Sequence, residues 1–364
     1  MSKQNYTQTQ LVLPSQDLTK DIVYFTNLGF QLNQIFPSDD PAVAIMSGFG
    51  QQIYIDKNAN CNPPTLHLLT DTPEKFSNTD LIAPNGTIIK LLPKTYQLHT
   101  PQTQHKFEVR KLTNNDPWVV GRAGMLYRDL IPDRLGGSII ASHINIPNGG
   151  PVPDVVHYHT IGFQLIFCYK GWVKLVYEDQ GPPFILKAGD CVTQPPEIRH
   201  RVLESSDNLE VIEIGVPAEH MTTIDHDMRL PTKEFRPERK FQGQTFCRHQ
   251  LEESEWNKWR IDGFEYRETE INSATNNVAS VHIARALTTN PTKQVISHDA
   301  DILFTFVMKG NLNLLAENRQ EQKLQKGDAF VIPPNMKYQM TNYSKDLELL
   351  EVSLPGTFKT THHI

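Results

Sequence analysis

Three histidines in the middle of the chain have the spacing of metal ligands. His157 and His159 are two residues apart, so on a β-strand both side chains point to one face of the sheet and can reach the same ion. Gln164 begins an apolar run over residues 165–169 that predicts a buried strand. His200 follows further along, just after a proline-containing turn. We therefore predict that His157, His159, Gln164 and His200 bind one metal ion.

The segments between these residues predict the antiparallel hairpins that would bring them together. Apolar or alternating stretches separated by turns occur at residues 172–177, 184–187 and 191–193. Gly171 and the Gly189-Asp190 pair mark two of the turns. The chain around the candidate ligands is thus expected to be a compact β-structure.

The same residues resemble the two signature motifs of the cupin superfamily, in which His-x-His, an acidic or amide residue and a later His meet inside a small β-barrel. The sequence departs from that pattern in three places. Gln164 stands where Glu is usual, Pro195-Pro196-Glu197 replaces Pro-x-Gly, and the glycine before His-x-His is offset by one. The resemblance implies a mainly β fold with the metal inside the barrel.

A neutral amide in place of a carboxylate affects the chemistry that is expected. Three imidazoles and an amide leave a divalent ion its full charge, so bound water or substrate is acidified more strongly than beside a glutamate. Nitrogen and oxygen donors suit several transition metals. Iron is favoured as the cofactor, and nickel, zinc, manganese and copper remain open.

Composition limits the classes of partner. The chain has 364 residues and a formal charge of −6, with no block of Lys and Arg, so neither nucleic acid nor an anionic membrane is an expected partner. The polar N-terminus is unlike a secretory signal, and no apolar run approaches the roughly 20 residues of a membrane span. Four scattered cysteines fit reduced thiols. A cytoplasmic protein with a small-molecule substrate is expected.

The first hundred residues have a different pattern. Asp17 is placed to cap a helix, and Gly29 to end it. The predicted elements, in the order β-α-β-β-β, are a strand at 10–13, a helix at 18–28, and strands at 30–34, 43–46 and 52–55.

This N-terminal region resembles a glyoxalase-like (vicinal oxygen chelate) module over about residues 8–95. The positions where that family has its metal ligands hold Thr9 or Gln10 and Lys90, so the module is expected to bind no metal. Such modules normally pair, and only one copy is visible. A homodimer formed through this module is therefore a hypothesis, and covering an opening of the barrel is the alternative.

The last third of the chain repeats the cupin pattern faintly. Aligning Gly310 with Gly171 and Gly327 with Gly189 places Ile296, His298, Leu303 and Tyr338 at the four ligand positions, so a single imidazole survives. The resemblance implies a bicupin with one metal-binding and one degenerate barrel. The expected domains are 1–97, a glyoxalase-like module; 98–236, the metal-binding barrel with a strap; and 237–364, the degenerate barrel.

The strap between the barrels, residues 218–239, is rich in charge and proline and lacks strand alternation. It is expected to be irregular, and its histidines, His220 and His226, are not expected to bind metal. Four other residues are candidates for substrate binding at the barrel mouth or wall: Arg122, Arg128, His143 and Tyr177.

Three functions remain open from the sequence. The first is a dioxygenase-like reaction, as in cupins that use three histidines on iron. The second is non-redox Lewis-acid work, as in cupin isomerases, cyclases and ring-opening enzymes acting on carbonyl or uronate substrates. The third is metal-dependent binding of a small molecule without catalysis.

Overall fold

Residues 7–72, 80–114, 117–288 and 294–363 are described here by a computed structural model. The chain divides into two compact units, Met1–Gln97 and Leu98–Ile364. Both units are built mainly from β-strands. Within the described ranges, no helix combines the length and the apolar character that crossing a membrane requires.

The described part of the first unit contains one helix and two small sheets. Its elements are β1 (Leu11–Pro14), α1 (Leu18–Leu28), β2 (Gln31–Phe36), β3 (Val43–Gly48), β4 (Gln51–Asp56), β5 (Thr65–Thr70), β6 (Leu81–Ile82) and β7 (Ile88–Pro93). One sheet has the order β1-β4-β3-β2 with β1 and β4 parallel, and the other has the order β5-β7-β6 with β5 and β7 parallel.

Helix α1 begins and ends where the sequence predicts. The Asp17 side chain accepts a hydrogen bond from the backbone N–H of Lys20 at 3.1 Å, and Gly29 ends the helix with a φ of 114°. The β-α-β-β-β order is observed. The resemblance to glyoxalase-like modules and the pairing with a second subunit stay predictions.

The second unit consists of two β-barrels. Its elements in chain order are β8 (Glu108–Arg110), β9 (Val119–Val120), β10 (Leu126–Asp129), α2 (Arg134–Gly137), β11 (Ile140–Ile146), β12 (Gly150–Pro151), β13 (His157–Thr160), β14 (Phe163–Lys170), β15 (Trp172–Tyr177), β16 (Phe184–Lys187), β17 (Cys191–Thr193), β18 (His200–Ser205), β19 (Leu209–Val216), β20 (Met221–Ile224), β21 (Lys240–Phe241), β22 (Gln244–Thr245), β23 (Cys247–His249), β24 (Trp256–Lys258), β25 (Phe264–Glu268), α3 (Ile271–Ala274), β26 (Ser280–Ala286), β27 (Val295–His298), β28 (Ile302–Lys309), β29 (Asn311–Ala316), β30 (Gln322–Gln325), β31 (Ala329–Val331), β32 (Tyr338–Thr341), β33 (Glu348–Leu354) and β34 (Thr360–His363).

Each barrel combines a larger and a smaller sheet. The first barrel has the sheets β23-β17-β14-β19-β11-β10-β9 and β16-β15-β18-β13-β20, and the second has β24-β25-β26-β33-β28-β31-β8 and β30-β29-β32-β27-β34. The barrels exchange edge strands, because β8 pairs with β31 of the second barrel and β23 pairs with β17 of the first. The predicted boundary after residue 236 lies between β20 and β21 and stays a prediction.

The two barrels repeat each other in register. Strand β14 pairs with β19 through a bulge between Cys168 and Lys170, and β28 pairs with β33 through a bulge between Val307 and Lys309. The turn glycines Gly171 and Gly310 have φ angles of 79° and 72°, and a Cβ at either would lie within 2.3 Å of a serine hydroxyl. The fold class predicted from the sequence, mainly β with two tandem barrels, is therefore confirmed.

Strand alternation decides which side chains face the barrel interior. Phe163, Leu165 and Phe167 of β14 are buried in the apolar layer between the two large sheets. Ile166 and Cys168, on the opposite face of the strand, belong to the core inside the first barrel. Gln164 shares their face, so the strand directs its amide into the barrel.

The expectation that residues 218–239 contain no strand is wrong. Within this segment, β20 pairs with β13, with Thr223 opposite Tyr158. The strand lies at a sheet edge and its side chains are mostly exposed, so it carries no alternation of apolar and polar residues. Backbone hydrogen bonds form this strand, and backbone hydrogen bonding leaves no pattern of apolar and polar side chains in the sequence.

Candidate metal centre

The first barrel brings three imidazoles together. His157 and His159 lie on β13, and His157 pairs directly with His200 of β18. The ring centroid of His157 is 4.2 Å from that of His200, and His159 is 5.2 Å from each. One nitrogen from each ring lies within 4.8 Å of the others. All three side chains are buried or nearly so.

The outer nitrogen of each ring is held by a hydrogen bond. His157 Nδ1 donates to the Val155 carbonyl at 2.7 Å, and His200 Nδ1 donates to the Ile198 carbonyl at 2.9 Å. A carbonyl only accepts, so both rings carry the proton on Nδ1 and keep a lone pair on Nε2. Among the described residues, His157 Nε2 is buried without a hydrogen-bond partner. This is the arrangement expected of imidazoles that bind a metal ion through Nε2.

Burial keeps these imidazoles neutral. It is the largest cause that lowers the pKa of His157, followed by the positive charge of Arg122. Burial, and then the neighbouring His157, lower the pKa of His159 to about 2. The pKa of His200 is held well below its usual value by burial and by the other two imidazoles. Metal binding requires neutral imidazole, so the three rings need lose no proton near neutral pH.

Gln164 lies on β14, in the sheet that faces the one with the three histidines, and its side-chain oxygen is a fourth candidate ligand. Its side chain is almost fully buried, and its Nε2 donates a hydrogen bond to Glu213 Oε1 at 2.5 Å. Its Oε1 has no hydrogen-bond partner among the described residues. Burial raises the pKa of Glu213, and the hydrogen bond that Gln164 donates to it acts in the opposite direction. A buried amide oxygen without a partner costs free energy unless a further group binds it.

These donors fit a divalent transition metal. Bonds of about 2.1 Å to nitrogen place three evenly spaced ligands of one ion no more than roughly 3.6 Å apart, and one nitrogen of each imidazole lies within 4.8 Å of the others. Small side-chain movements would bring the three nitrogens onto one ion. Neutral nitrogens and an amide oxygen suit iron, nickel, zinc, manganese and copper alike. The assignment of His157, His159, Gln164 and His200 as ligands stays a prediction.

A small apolar cavity adjoins the imidazoles. Its volume is about 70 Å³, and His159 and His200 form part of its wall. Its polar lining is Arg122, Tyr127, Tyr177, Gln194 and Glu213, and its apolar lining includes Ile144, Ile166, Leu175, Val202 and Val211. An apolar cavity with a few polar groups is typical of a small-molecule site.

Two of the predicted substrate-binding residues line this cavity. Arg122 forms an ion pair with the buried Asp154, which also accepts a hydrogen bond from the backbone N–H of Val202 at 2.9 Å. The Tyr177 hydroxyl accepts a hydrogen bond from Gln194 Nε2 at 3.0 Å, and its ring stacks on His200. Burial raises the pKa of Tyr177, so its hydroxyl stays protonated.

The other two, Arg128 and His143, lie in the contact between the barrels and not around the cavity. Arg128 donates a hydrogen bond to the carbonyl of Gly327 in the second barrel at 2.7 Å. The His143 ring packs against Phe306 of that barrel, and its Nε2 donates to Glu210 at 2.9 Å. The period of two explains this placement, because Tyr127 faces the cavity and its neighbour Arg128 must face outwards.

The strand that the sequence did not predict supplies a further contact. Thr222 of β20 lies opposite His159, and its Oγ1 is 2.9 Å from His159 Nδ1. His220, just before the strand, has its ring centroid 5.4 Å from that of His159. Asp154, Gln194 and Glu213 were also missed. A Glu within the apolar stretch of β19 was the one available signal, since a charged residue facing a barrel interior needs a partner.

The second barrel has a different interior at the equivalent positions. Ile296 pairs with Tyr338 as His157 pairs with His200, and Leu303 pairs with Ser353 as Gln164 pairs with Gly215. Of the four equivalent positions, only that of His298 holds the residue type predicted for a metal ligand. An ion pair between Arg260 and the buried Glu351 lies within the second barrel, and Arg260 Nη2 is also 3.4 Å from the Tyr338 hydroxyl.

Replacing His298 by alanine is expected to leave the metal content of the protein unchanged. His298 is hydrogen-bonded through Nε2 to the Ile332 carbonyl at 3.1 Å, and burial lowers its pKa to about 4. No other imidazole, thiol or carboxylate joins it in a metal-binding cluster among the described residues. Elemental analysis of the purified variant tests this, and loss of metal would contradict the assignment of the site to the first barrel.

Comparison with known proteins supports the fold. No protein-family model matches the sequence, and no curated protein matches it. A salicylate 1,2-dioxygenase from Pseudaminobacter salicylatoxidans matches in structure with 14% identity and a TM-score of 0.54, over 72% of this chain and 90% of that one. An oxalate decarboxylase from Lactobacillus farciminis matches with 13% identity and a TM-score of 0.53, over 70% and 88%. One from Bacillus subtilis has 10% identity and a TM-score of 0.51, over 74% and 81%.

At these identities the similarity establishes a shared fold. The chain has the tandem cupin fold, with a histidine cluster that could hold a metal in the first of its two barrels. The reaction and the substrate do not follow from the fold.

Proposed function

We propose that this protein is a metal-dependent enzyme that acts on a small oxygenated organic molecule, in a dioxygenase-like reaction at a mononuclear centre. The observation that carries the proposal is the cluster of His157, His159 and His200 beside an apolar cavity, with two of the three rings in the cavity wall. A salicylate 1,2-dioxygenase among the structures of the same fold supports it. Iron is the metal that the proposal favours.

A divalent ion bound by these residues would supply open coordination positions for substrate oxygens and a charge that polarises them. The protein supplies the surroundings. The aliphatic side chains of the cavity bind the carbon skeleton and exclude water, which strengthens every electrostatic interaction nearby.

The polar residues of the cavity orient the substrate. Burial raises the pKa of Tyr127 to about 12, so its hydroxyl remains a hydrogen-bond donor at neutral pH. Arg122 places a positive charge at the wall, partly neutralised by Asp154. An enolate or carboxylate oxygen of the substrate would be attracted to this end of the cavity.

Non-redox Lewis-acid catalysis is the second candidate, and Gln164 is the observation that favours it. A neutral amide whose oxygen has no other partner among the described residues would leave the ion its full charge. That charge polarises a carbonyl without any change of oxidation state.

Elemental analysis of protein purified without a metal-affinity column separates these candidates when it is combined with oxygen uptake. The panel would contain catechols, hydroxybenzoates, β-diketones and unsaturated uronates. Iron together with substrate-dependent oxygen uptake is the expected result. Zinc or nickel with turnover but no uptake would replace it by the Lewis-acid reaction, and bound metal with no turnover would leave metal-dependent binding.

A further inference from the structure

The two ends of the Gln164 amide have different surroundings. Nε2 donates a hydrogen bond to Glu213 Oε1 at 2.5 Å, whereas Oε1 is buried and has no partner among the described residues. Both side chains lie inside the first barrel, because Gln164 and Glu213 are on the inward faces of the paired strands β14 and β19. Glu213 also lines the cavity beside His159 and His200.

We propose that Glu213 is a positioning residue that fixes which end of the Gln164 amide faces the metal. This inference rests on the proposed function, since it concerns the same metal centre. The oxygen and nitrogen ends of an amide have almost the same shape, yet only the oxygen binds a metal. A carboxylate accepts hydrogen bonds and the amide NH2 only donates them, so the NH2 turns towards Glu213 and the oxygen turns away from it.

The pair also moves a negative charge away from the ligand. In the cupin pattern a glutamate at this position would place its charge directly on the ion. Here position 164 holds a neutral amide, and the carboxyl group of the pair belongs to Glu213, which is hydrogen-bonded to that amide. A glutamate at position 164 would instead face Glu213 at hydrogen-bonding distance, and the two carboxylates would repel each other. The amide at 164 and the carboxylate at 213 therefore depend on each other.

The second barrel supplies an internal comparison. Glu351 occupies the position of Glu213 there, and Leu303 occupies that of Gln164. With no amide opposite, Glu351 takes the guanidinium of Arg260 as its partner. In the first barrel the guanidinium of Arg122 is bound by Asp154, and Glu213 holds the amide. A glutamate is thus present at this strand position in both barrels, and its partner differs according to whether a metal ligand lies opposite.

The test is a titration of the metal-free full-length protein with Co²⁺, following the visible spectrum of the ion and its competition with a chelator. Glu213→Gln no longer fixes the orientation of the Gln164 amide, because a glutamine at position 213 can both donate a hydrogen bond to the Gln164 oxygen and accept one from its NH2 group. We expect about 10- to 100-fold weaker Co²⁺ binding and an altered spectrum, the range found when groups that orient metal ligands are removed. Gln164→Glu alone is also expected to weaken binding.

The exchanged pair Gln164→Glu with Glu213→Gln is the decisive variant. Its carboxylate faces the ion and its amide donates to that carboxylate, so Co²⁺ affinity is expected to recover to that of the wild type or above it. Glu210→Gln is the matched control, because it makes the same change on the same strand outside the barrel interior. It should bind Co²⁺ as the wild type does. Near-ultraviolet circular dichroism of each variant checks that the fold is retained.

Two failures can be told apart. If the wild type binds no Co²⁺, the metal centre itself is refuted, and this inference with it. If the wild type binds Co²⁺ and both single variants match it in affinity and spectrum, only the positioning role of Glu213 is refuted. Additive losses in the exchanged pair would refute the dependence of the two residues on each other.

Discussion

His200→Ala is expected to weaken the binding of a divalent transition metal by on the order of 100-fold or more while the protein stays folded. The ring of His200 lies 4.2 Å from that of His157 and 5.2 Å from that of His159. A four-ligand site binds its ion with about 10–16 kcal/mol, so the share of one ligand is roughly 3 kcal/mol, or more than 100-fold. Competition with a chelator measures the loss directly.

The fold should tolerate this change. Burial and the two neighbouring imidazoles lower the pKa of His200, so its ring is neutral. The substitution therefore removes one neutral polar group from a buried position. The cost is the stacking of the Tyr177 ring on His200 and a small cavity. His298→Ala is the control, since it removes the buried histidine that occupies the position of His159 in the second barrel. Metal binding of His200→Ala equal to that of His298→Ala would refute the predicted ligand set.

Much of the histidine cluster could be predicted because its residues lie on strands. The period of two placed His157 and His159 on one face of β13. The second barrel was predicted from a repeat of the same pattern, in which Gly310 aligns with Gly171 and Gly327 with Gly189. All four glycines have positive φ angles. Local patterns of this kind are present in the sequence itself.

The remaining parts depend on contacts between distant segments. Thr222 reaches His159 because an exposed edge strand pairs with β13, and an edge strand needs no apolar alternation. Arg128 and His143 are polar residues on a face that the second barrel covers, so their position depends on how two barrels pack. Neither fact leaves a pattern along the chain.

The ion pair inside the second barrel predicts a large and asymmetric effect on stability. Glu351→Ala leaves the guanidinium of Arg260 inside the barrel without its counter-charge, and an arginine cannot release its proton. Removing one partner of a buried pair costs about 3–5 kcal/mol, which lowers the Tm of a unit of this size by roughly 6 °C or more. Thermal unfolding at neutral pH measures this.

Arg260→Ala is expected to differ in its pH dependence. Burial already raises the pKa of Glu351 above its ordinary value of 4.5, against the opposing charge of Arg260. Without the guanidinium, the folded state favours the protonated carboxyl further. A pKa raised by folding contributes stability that is complete below the unfolded value and is lost as the pH rises through the folded value. Arg260→Ala should therefore recover stability on acidification, relative to the wild type, and Glu351→Ala should not.

Replacing both members by apolar residues, Arg260→Met with Glu351→Leu, separates charge from packing. The double variant leaves no buried charge, so its stability is expected to equal or exceed that of the wild type. A double variant as unstable as Glu351→Ala would mean that the shape of the two side chains matters and their charge does not. The expected result would show that apolar side chains can replace the ion pair inside the second barrel, in the barrel that lacks the histidine cluster of the first.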